Sequence, residues 1–476
     1  MDPTPSSAAA AKGAGASGPD RFQVLVAGGG VAALEAVLAL TDLAGDRVGI
    51  ELLCPAEQFT LRALSVAQPF GGEEPRTIDL ARFCEQHGAR FRRDALAEVW
   101  GEQRRVLTAA AEDLTYDALL LAFGTRPVES LANTHQFRGA SDADWFEQLL
   151  AGLERGSIGR LAFVVPTTVH WSPPLLELAL LTSHWLEQRG VSGAKLAFVT
   201  HEASPLQVFG ERISEHVTAL LARAGVELHA DQPVSAVTDG QVLDEVGRTL
   251  LEADEVVTLP SLRVAEIPGI AQGRHGFIAC DAEMRVDGTE NVWVAGDASW
   301  FPIKQGGIAA QQAEVAAGWI AAAAGADVLP EPFCPVLRAA LLTGEEPQFM
   351  RREIGIGRAD ATTAIAASPL WWPPGKVAGP RLAPYLAREW GGSLADPTGR
   401  FEDLYPASSE GERDQEHRAA LKLALNYARV DADEGHLDDA LRWLDVAERL
   451  NITLPPDYVE QRQAWREQLA ARGQAG

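Results

Sequence analysis

Cysteine is scarce in this 476-residue chain, and its four residues, Cys54, Cys84, Cys280 and Cys334, form no C-x-x-C or C-x4-C pair. That dispersal excludes a zinc knuckle and a disulfide scaffold, leaves no metal site expected, and points to a reducing compartment, with the cytoplasm as the expected location. Positive charge is short as well: 41 lysines and arginines face 66 acidic residues, a formal charge of −25. Such a field repels phosphate backbones and anionic lipid, so nucleic acid is not an expected partner. Long apolar runs are absent. The most apolar helix candidate, GIAAQQAEVAAGWIAAAAG, is interrupted by Gln311, Gln312 and Glu314, and no membrane span is expected. The opening 20 residues lack a basic stretch leading into an apolar one and read as a disordered tail.

What is present is the balance of a folded protein, with 46% apolar and 22% charged residues. The length suits roughly three units of about 150 residues each. RFQVLVAGGGVAALEAVLAL reads as a strand, a glycine turn at Gly28 to Gly30 and a helix, and VGIELLC follows as a second strand. DLTYDALLLAFGTRP is a further strand ending in a glycine turn, where Pro127 stops it. From Arg160 the plan repeats: LAFVVP, a helix from about Pro174 to Arg189, KLAFVT, a helix through FGERISEHVTALLARAG, VELHA, and ADEVVTLP as the closing strand. GFIACD, NVWVAGDAS and a helix opened by KQGG then complete the first unit.

The expected fold class is therefore α/β, with two doubly wound Rossmann-like domains, the first split by the second, a C-terminal cover and an α-helical tail. The expected division is 1–20 as tail, 21–155 with 270–329 as the first domain, and 156–269 as the second. A proline- and tryptophan-rich cover with little regular periodicity follows over 330–407, and a helical, tetratricopeptide-like segment over 408–476. In that last segment Trp443, Leu444, Ala447 and Leu450 make a helix-spaced apolar stripe that must bury against something, with the body formed by the preceding domains as the expected surface. Asp431, Asp433, Glu434, Asp438 and Asp439 crowd the same region and argue against membrane anchoring.

Gly28-x-Gly30-x-x-Ala33 follows a strand and opens a helix. The first glycine permits the tight turn, the second lets backbone approach a pyrophosphate, and the small Ala33 lets helix and strand pack closely. An acidic residue near the end of the second strand would bind a ribose; Cys54 sits there, and Glu57 just beyond is the candidate.

Read together, GGGVAALEAVLAL, LLLAFGTRP, NVWVAGDAS and KQGGIAAQQAEVAA resemble, in this order, the FAD-dependent pyridine nucleotide-disulfide oxidoreductase family. The branch is that of class II NADH dehydrogenases and sulfide:quinone reductases, and the resemblance spans about Arg21 to Tyr385. It implies FAD as cofactor, with Gly28 and Gly30 at the pyrophosphate and Ala33 in the packing role. It places Gly124 in a second cofactor loop, where Phe123 replaces the family's threonine, and Asp297 on the ribityl chain with Gly296 beside it. Lys304, Gln305, Gly306 and Gly307 open a helix whose N-terminus would stabilise negative charge on the reduced flavin ring. Arg62 falls in a segment that passes near the isoalloxazine in relatives.

Two departures matter. The family's redox cysteine pair after the first helix is missing, which disfavours a sulfur relay. The second domain's turn reads P-T-T-V-H-W with no glycine, although Glu177 matches the helical glutamate of nicotinamide-using relatives; His170 is a candidate lining residue of a remodelled nucleotide or substrate pocket. The expected function is an FAD-dependent oxidoreductase carrying electrons through flavin N5 from a reduced small-molecule donor, with NAD(P)H as one candidate, to a quinone or small acceptor. Its catalytic residues are not assigned. The alternative is a non-catalytic flavin-binding interaction protein, with the C-terminal helices serving a homo-oligomer or a protein partner.

Overall fold

The computed structural model describes residues 21–169, 171–273, 276–354, 363–371, 373–390 and 456–473, with positions 425, 428, 429, 432, 437, 440, 441 and 444 before the last segment. The expected tail 1–20 and, among the residues singled out by sequence, His170, Asp431, Asp433, Glu434, Asp438, Asp439, Trp443, Ala447 and Leu450 lie outside the described residues.

The chain opens with β1 (Phe22–Ala27), α1 (Val31–Ala44) and β2 (Val48–Leu53). Next come α2 (Leu80–Gln86), β3 (Arg90–Arg92) and β4 (Ala118–Leu121). Apolar runs such as VLVA and ALLL are covered on both faces, which is the requirement of an all-parallel sheet. The second set is β5 (His135–Gln136), α3 (Ala143–Glu154), β6 (Arg160–Val165), α4 (Pro173–Gln188), β7 (Lys195–Thr200), α5 (Glu211–Arg223), β8 (Val226–His229) and β9 (Glu255–Thr258). The chain then supplies β10 (Val292–Val294) and α6 (Gly306–Ala323).

The first sheet runs β3-β2-β1-β4-β10 and the second β5-β9-β6-β7-β8, each parallel throughout. The chain thus leaves the first sheet, builds the second from His135 onward, and returns. The two connections pair with each other: Arg126–Val128 runs antiparallel to Ser261–Arg263 as a short ribbon between the sheets. Alanine spacing lets α1 and α6 pack face to face; Ala32, Ala33, Ala36, Ala309, Ala313, Ala316 and Ala317 are all buried.

GFIACD forms single bridges, Ile278 to Ser299 and Cys280 to Val286, in place of the expected strand. The Asp281 carboxylate turns the chain there by accepting the Glu283 and Arg285 amides. The cover is more regular than its composition suggests: β11 (Val336–Leu341), β12 (Gln348–Glu353) and β13 (Thr363–Ala366) make an antiparallel sheet. After it come α7 (Leu382–Glu389) and, in the tail, α8 (Pro456–Gly473). One large apolar core joins both sheets and the cover, whereas Leu425, Ala428, Leu437, Ala440, Leu444 and Trp465 form a separate cluster in the tail.

Candidate functional site

The glycine turn after β1 is built by steric necessity. Gly28 has φ +142°, and a Cβ there would stand 2.1 Å from the Ala122 carbonyl oxygen at the end of β4. Gly29 is closed off as well, because a Cβ would meet the Cys54 sulfur at 2.5 Å. At Gly30 the situation reverses: a Cβ would meet nothing within 4 Å, and this residue is the N-cap of α1 with no side chain capping it. The first amides of α1 therefore face open space, the arrangement that binds a phosphate. Gly124, at φ +67° just past β4, also opens onto unfilled space, and because β1 and β4 are neighbours the two turns lie side by side. Ala33 is wholly buried.

Across the same sheet edge, Gly296 follows β10 with φ +83°, and a Cβ there would lie 3.3 Å from the Ala32 Cβ, so it lets α1 and α6 close together. Its amide donates to Gln312 Oε1 at 2.8 Å. The Asp297 carboxylate has no protein hydrogen-bond donor among the described residues; burial raises its pKa, and the charges of Lys304 and Arg62 work against that rise. Arg62 is exposed at the head of the 3-10 stretch Arg62–Phe70. Lys304 is 5% exposed. Its Nζ donates to the Ser299 carbonyl and lies 3.8 Å above the Phe277 ring centroid. Burial pulls its pKa down to about 7, against the pull of Asp297 and Cys280. Gln305 caps α6, accepting the Gly307 amide at 2.8 Å, while its Nε2 is buried with no partner. Gly306 has no room for a side chain, since Val377 would lie 2.7 Å from its Cβ.

These unmet groups test the cofactor. Uncapped amides at α1 suit a pyrophosphate, the free Asp297 acceptor suits ribityl hydroxyls, and the free Gln305 Nε2 donor suits a carbonyl of the pyrimidine ring. The residues fit FAD. Glu57 stands just past β2, the strand beside β1, with its carboxylate exposed and paired with the equally exposed Arg93.

In the second domain Glu177 is 2% exposed, accepts the Leu342 amide at 2.8 Å and pairs with Lys376, so this carboxylate fastens α4 to the cover. Trp171 packs on Phe209 with ring centroids 5.9 Å apart. Sequence reading missed Glu202, two residues past β7. It accepts from Ser172 Oγ at 3.1 Å and Thr200 Oγ1 at 3.3 Å, and burial lifts its pKa to about 7. The signal was available: an acidic residue after the second strand of a β-α-β unit, the logic applied to Glu57. All four cysteines are free thiols; burial holds Cys84 up to about 12 and Cys280 higher still. No helix among the described residues is long and apolar enough to cross a membrane.

Comparison with known proteins agrees with this geometry. Residues 179–318 match the pyridine nucleotide-disulphide oxidoreductase family. No curated protein matches the chain by sequence. Among solved structures, the sulfide:quinone oxidoreductase of the hyperthermophilic bacterium Aquifex aeolicus is similar at TM-score 0.65 and 17% identity, covering 82% of this chain and 98% of its own. Putidaredoxin reductase in its covalent complex with putidaredoxin gives TM-score 0.53 at 18% identity, covering 73% of this chain and 87% of its own. Fdr9 gives TM-score 0.52 at 20% identity, with 72% and 88% covered. The match to the pyridine nucleotide-disulphide oxidoreductase family thus covers residues 179–318, and the two parallel sheets, the first interrupted by the second, share the fold of these solved structures.

Proposed function

We propose that this protein takes electrons from a reduced small-molecule donor and delivers them to a quinone or another small electron carrier, without a redox disulfide. The observation that carries the reading is the convergence of unmet polar groups on one crevice: the α1 amides, the Asp297 carboxylate and Gln305 Nε2. FAD bound there supplies two-electron chemistry at N5. The chain's part is to hold and polarise it. The open N-terminal end of α1 would hold the anionic linker of FAD, and the N-terminus of α6 would offer its positive dipole to negative charge on the reduced ring. Lys304, with its pKa near 7, holds or gives up a proton at Nζ close to neutral pH, inside a region closed by Phe277 and Cys280. The four cysteines are free thiols, and the neighbouring Cys54 and Cys84 are buried with raised pKa values, which favours exchange with small molecules over a thiol relay.

A second reading, flavin binding without turnover, is favoured by one observation: the glutamate expected beside a nicotinamide is committed to Lys376 of the cover. The visible spectrum of the purified protein, followed by anaerobic mixing with NADH, NADPH and sulfide in turn, separates the two. A yellow protein bleached by one of the three supports the oxidoreductase. A yellow protein bleached by none moves to the second reading, and a colourless one that cannot be loaded with FAD removes both.

A further inference from the structure

Past β10 the chain makes a tight turn, Gly296-Asp297-Ala298-Ser299, closed by the Ser299 amide donating to the Gly296 carbonyl at 3.0 Å. The turn is wedged between two helices, because a Cβ at Gly296 would lie 3.3 Å from Ala32 on α1 and 3.5 Å from Ala309 on α6. Ala298 and Ser299 are buried, and Asp297 alone of its side chains is partly exposed. Two donors of the turn, the Gly296 amide and Ser299 Oγ, converge on one acceptor, Gln312 Oε1 on α6, at 2.8 and 3.2 Å. The Ser299 carbonyl in turn accepts from Lys304 Nζ. One turn therefore carries Asp297 and anchors Lys304, and one side chain holds both of its ends.

Gln312 is fully buried, and its Nε2 has no hydrogen-bond partner among the described residues. A backbone N–H can only donate, so the amide must turn its oxygen toward Gly296 and leave its nitrogen unpaired. An unpaired buried donor costs free energy that a methionine of similar length would not. Packing between α1 and α6 therefore does not explain an amide here, whereas its oxygen does. With that acceptor removed, two buried donors are left unmet, and the turn relaxes to satisfy them, carrying Asp297 and the anchor of Lys304 with it.

We propose that Gln312 is a positioning residue of the cofactor site, setting through its single oxygen both the Asp297 carboxylate and, by way of the Ser299 carbonyl, the Lys304 ammonium. Such sites depend on groups that lock the rotamers and loops of the residues touching the ligand. The proposal rests on the oxidoreductase reading for the flavin, and it extends that reading to a residue that touches none of the groups offered to the cofactor except through the turn. Its consequence is a coupling: cofactor affinity, which depends on Asp297, and stabilisation of the reduced ring, which depends on the nearby cation, change together when one oxygen is lost.

The test compares the full-length native chain with Gln312→Met, Gln312→Glu and Ser299→Ala. Three quantities are read: FAD affinity of the apoprotein by calorimetry, the midpoint potential of the bound flavin by spectroelectrochemistry, and melting with and without FAD. Gln312→Met should bind FAD about tenfold more weakly and shift the midpoint potential downward. Gln312→Glu keeps an oxygen for the same two donors and should recover most of the affinity. Ser299→Ala removes one donor but leaves the carbonyl that holds Lys304, so a smaller loss of affinity is expected. A residue that only packs would lower the melting of apoprotein and FAD-loaded protein equally in Gln312→Met, with affinity and potential unchanged, and that result overturns the proposal. If Gln312→Met is insoluble, Ser299→Ala decides: a several-fold weaker affinity supports the proposal and an unchanged one overturns it. A native protein that takes up no FAD shows this in its visible spectrum, before any variant is compared, and overturns the oxidoreductase reading along with the proposal.

Discussion

Asp297 is the residue on which the proposed cofactor site turns. It is a carboxylate that burial pushes toward neutrality, that two cations hold toward ionisation, and that no donor among the described residues satisfies. Replacing it with alanine removes an acceptor from groups brought out of water by binding, at a cost of about 1–3 kcal/mol, or about 5- to 150-fold in FAD affinity. Calorimetry on apoprotein reconstituted with FAD measures this, and an unchanged affinity in a folded Asp297→Ala variant would count against the placement. The structural parts of Gly28 and Gln305 were legible in the sequence, because a tight turn after a strand and the cap of a helix each admit few residue types. The Ala122 carbonyl allows no Cβ at Gly28, and α6 takes its cap from Gln305. Glu177 shows the limit. Its residue type fits a nucleotide site, but its partner Lys376 lies 199 positions away, and no local pattern encodes that pairing.

At the scale of elements, strands and helices followed apolar periodicity wherever burial was two-sided, whereas the cover sheet was obscured because its strands alternate less cleanly and lie among prolines and tryptophans. What binds the cover to the first domain was not legible at all. Glu35, fully buried on α1, accepts the Arg381 and Leu382 amides at 2.7 and 3.0 Å and so caps α7 from another helix. Arg381 reaches Asp42 on α1 and Glu314 on α6, and Glu314 also bonds Glu35. Burial foremost, then the bond to Glu314, raises Glu35 to about 8 from an ordinary value of 4.5. The folded state thus holds this proton more tightly than the unfolded chain does. The associated stability is complete below about pH 4.5 and lost as pH rises to about 8. Urea midpoints measured across this range should decline for the native protein and decline less for Glu35→Gln. Parallel slopes would remove Glu35 as the cause. Gly379→Ala should release the same junction, since a Cβ there would lie 2.1 Å from Glu35 Oε2.

For the whole molecule, the question is whether the tail stabilises the body formed by the two sheets and the cover. The apolar stripe around Leu444 was legible as a buried face, but periodicity states only that a face is covered, never by what. The structure gives Leu444 partners within the tail itself: Leu425, Ala428, Leu437, Ala440 and Trp465 are buried in the same cluster, with Tyr458 and Leu469 at its edge. The body meanwhile closes its own core with the cover, where Leu337, Met350, Leu382 and Leu386 are buried in the main cluster. Among the described residues the tail's buried apolar side chains therefore form a cluster of their own, apart from the body's, and sets without shared contacts add independently. Truncation at Ser408 should leave the melting temperature with excess FAD and the flavin spectrum unchanged. Truncation at Pro330 removes Lys376, Arg381 and α7, strips the acceptors on Glu35 and Glu177 of their donors, and should cause a large loss of stability or of soluble protein. Differential scanning calorimetry of the two truncations beside the full chain decides between a separate module and a cap: a lowered melt for the Ser408 truncation would mean that the tail's cluster leans on the body after all.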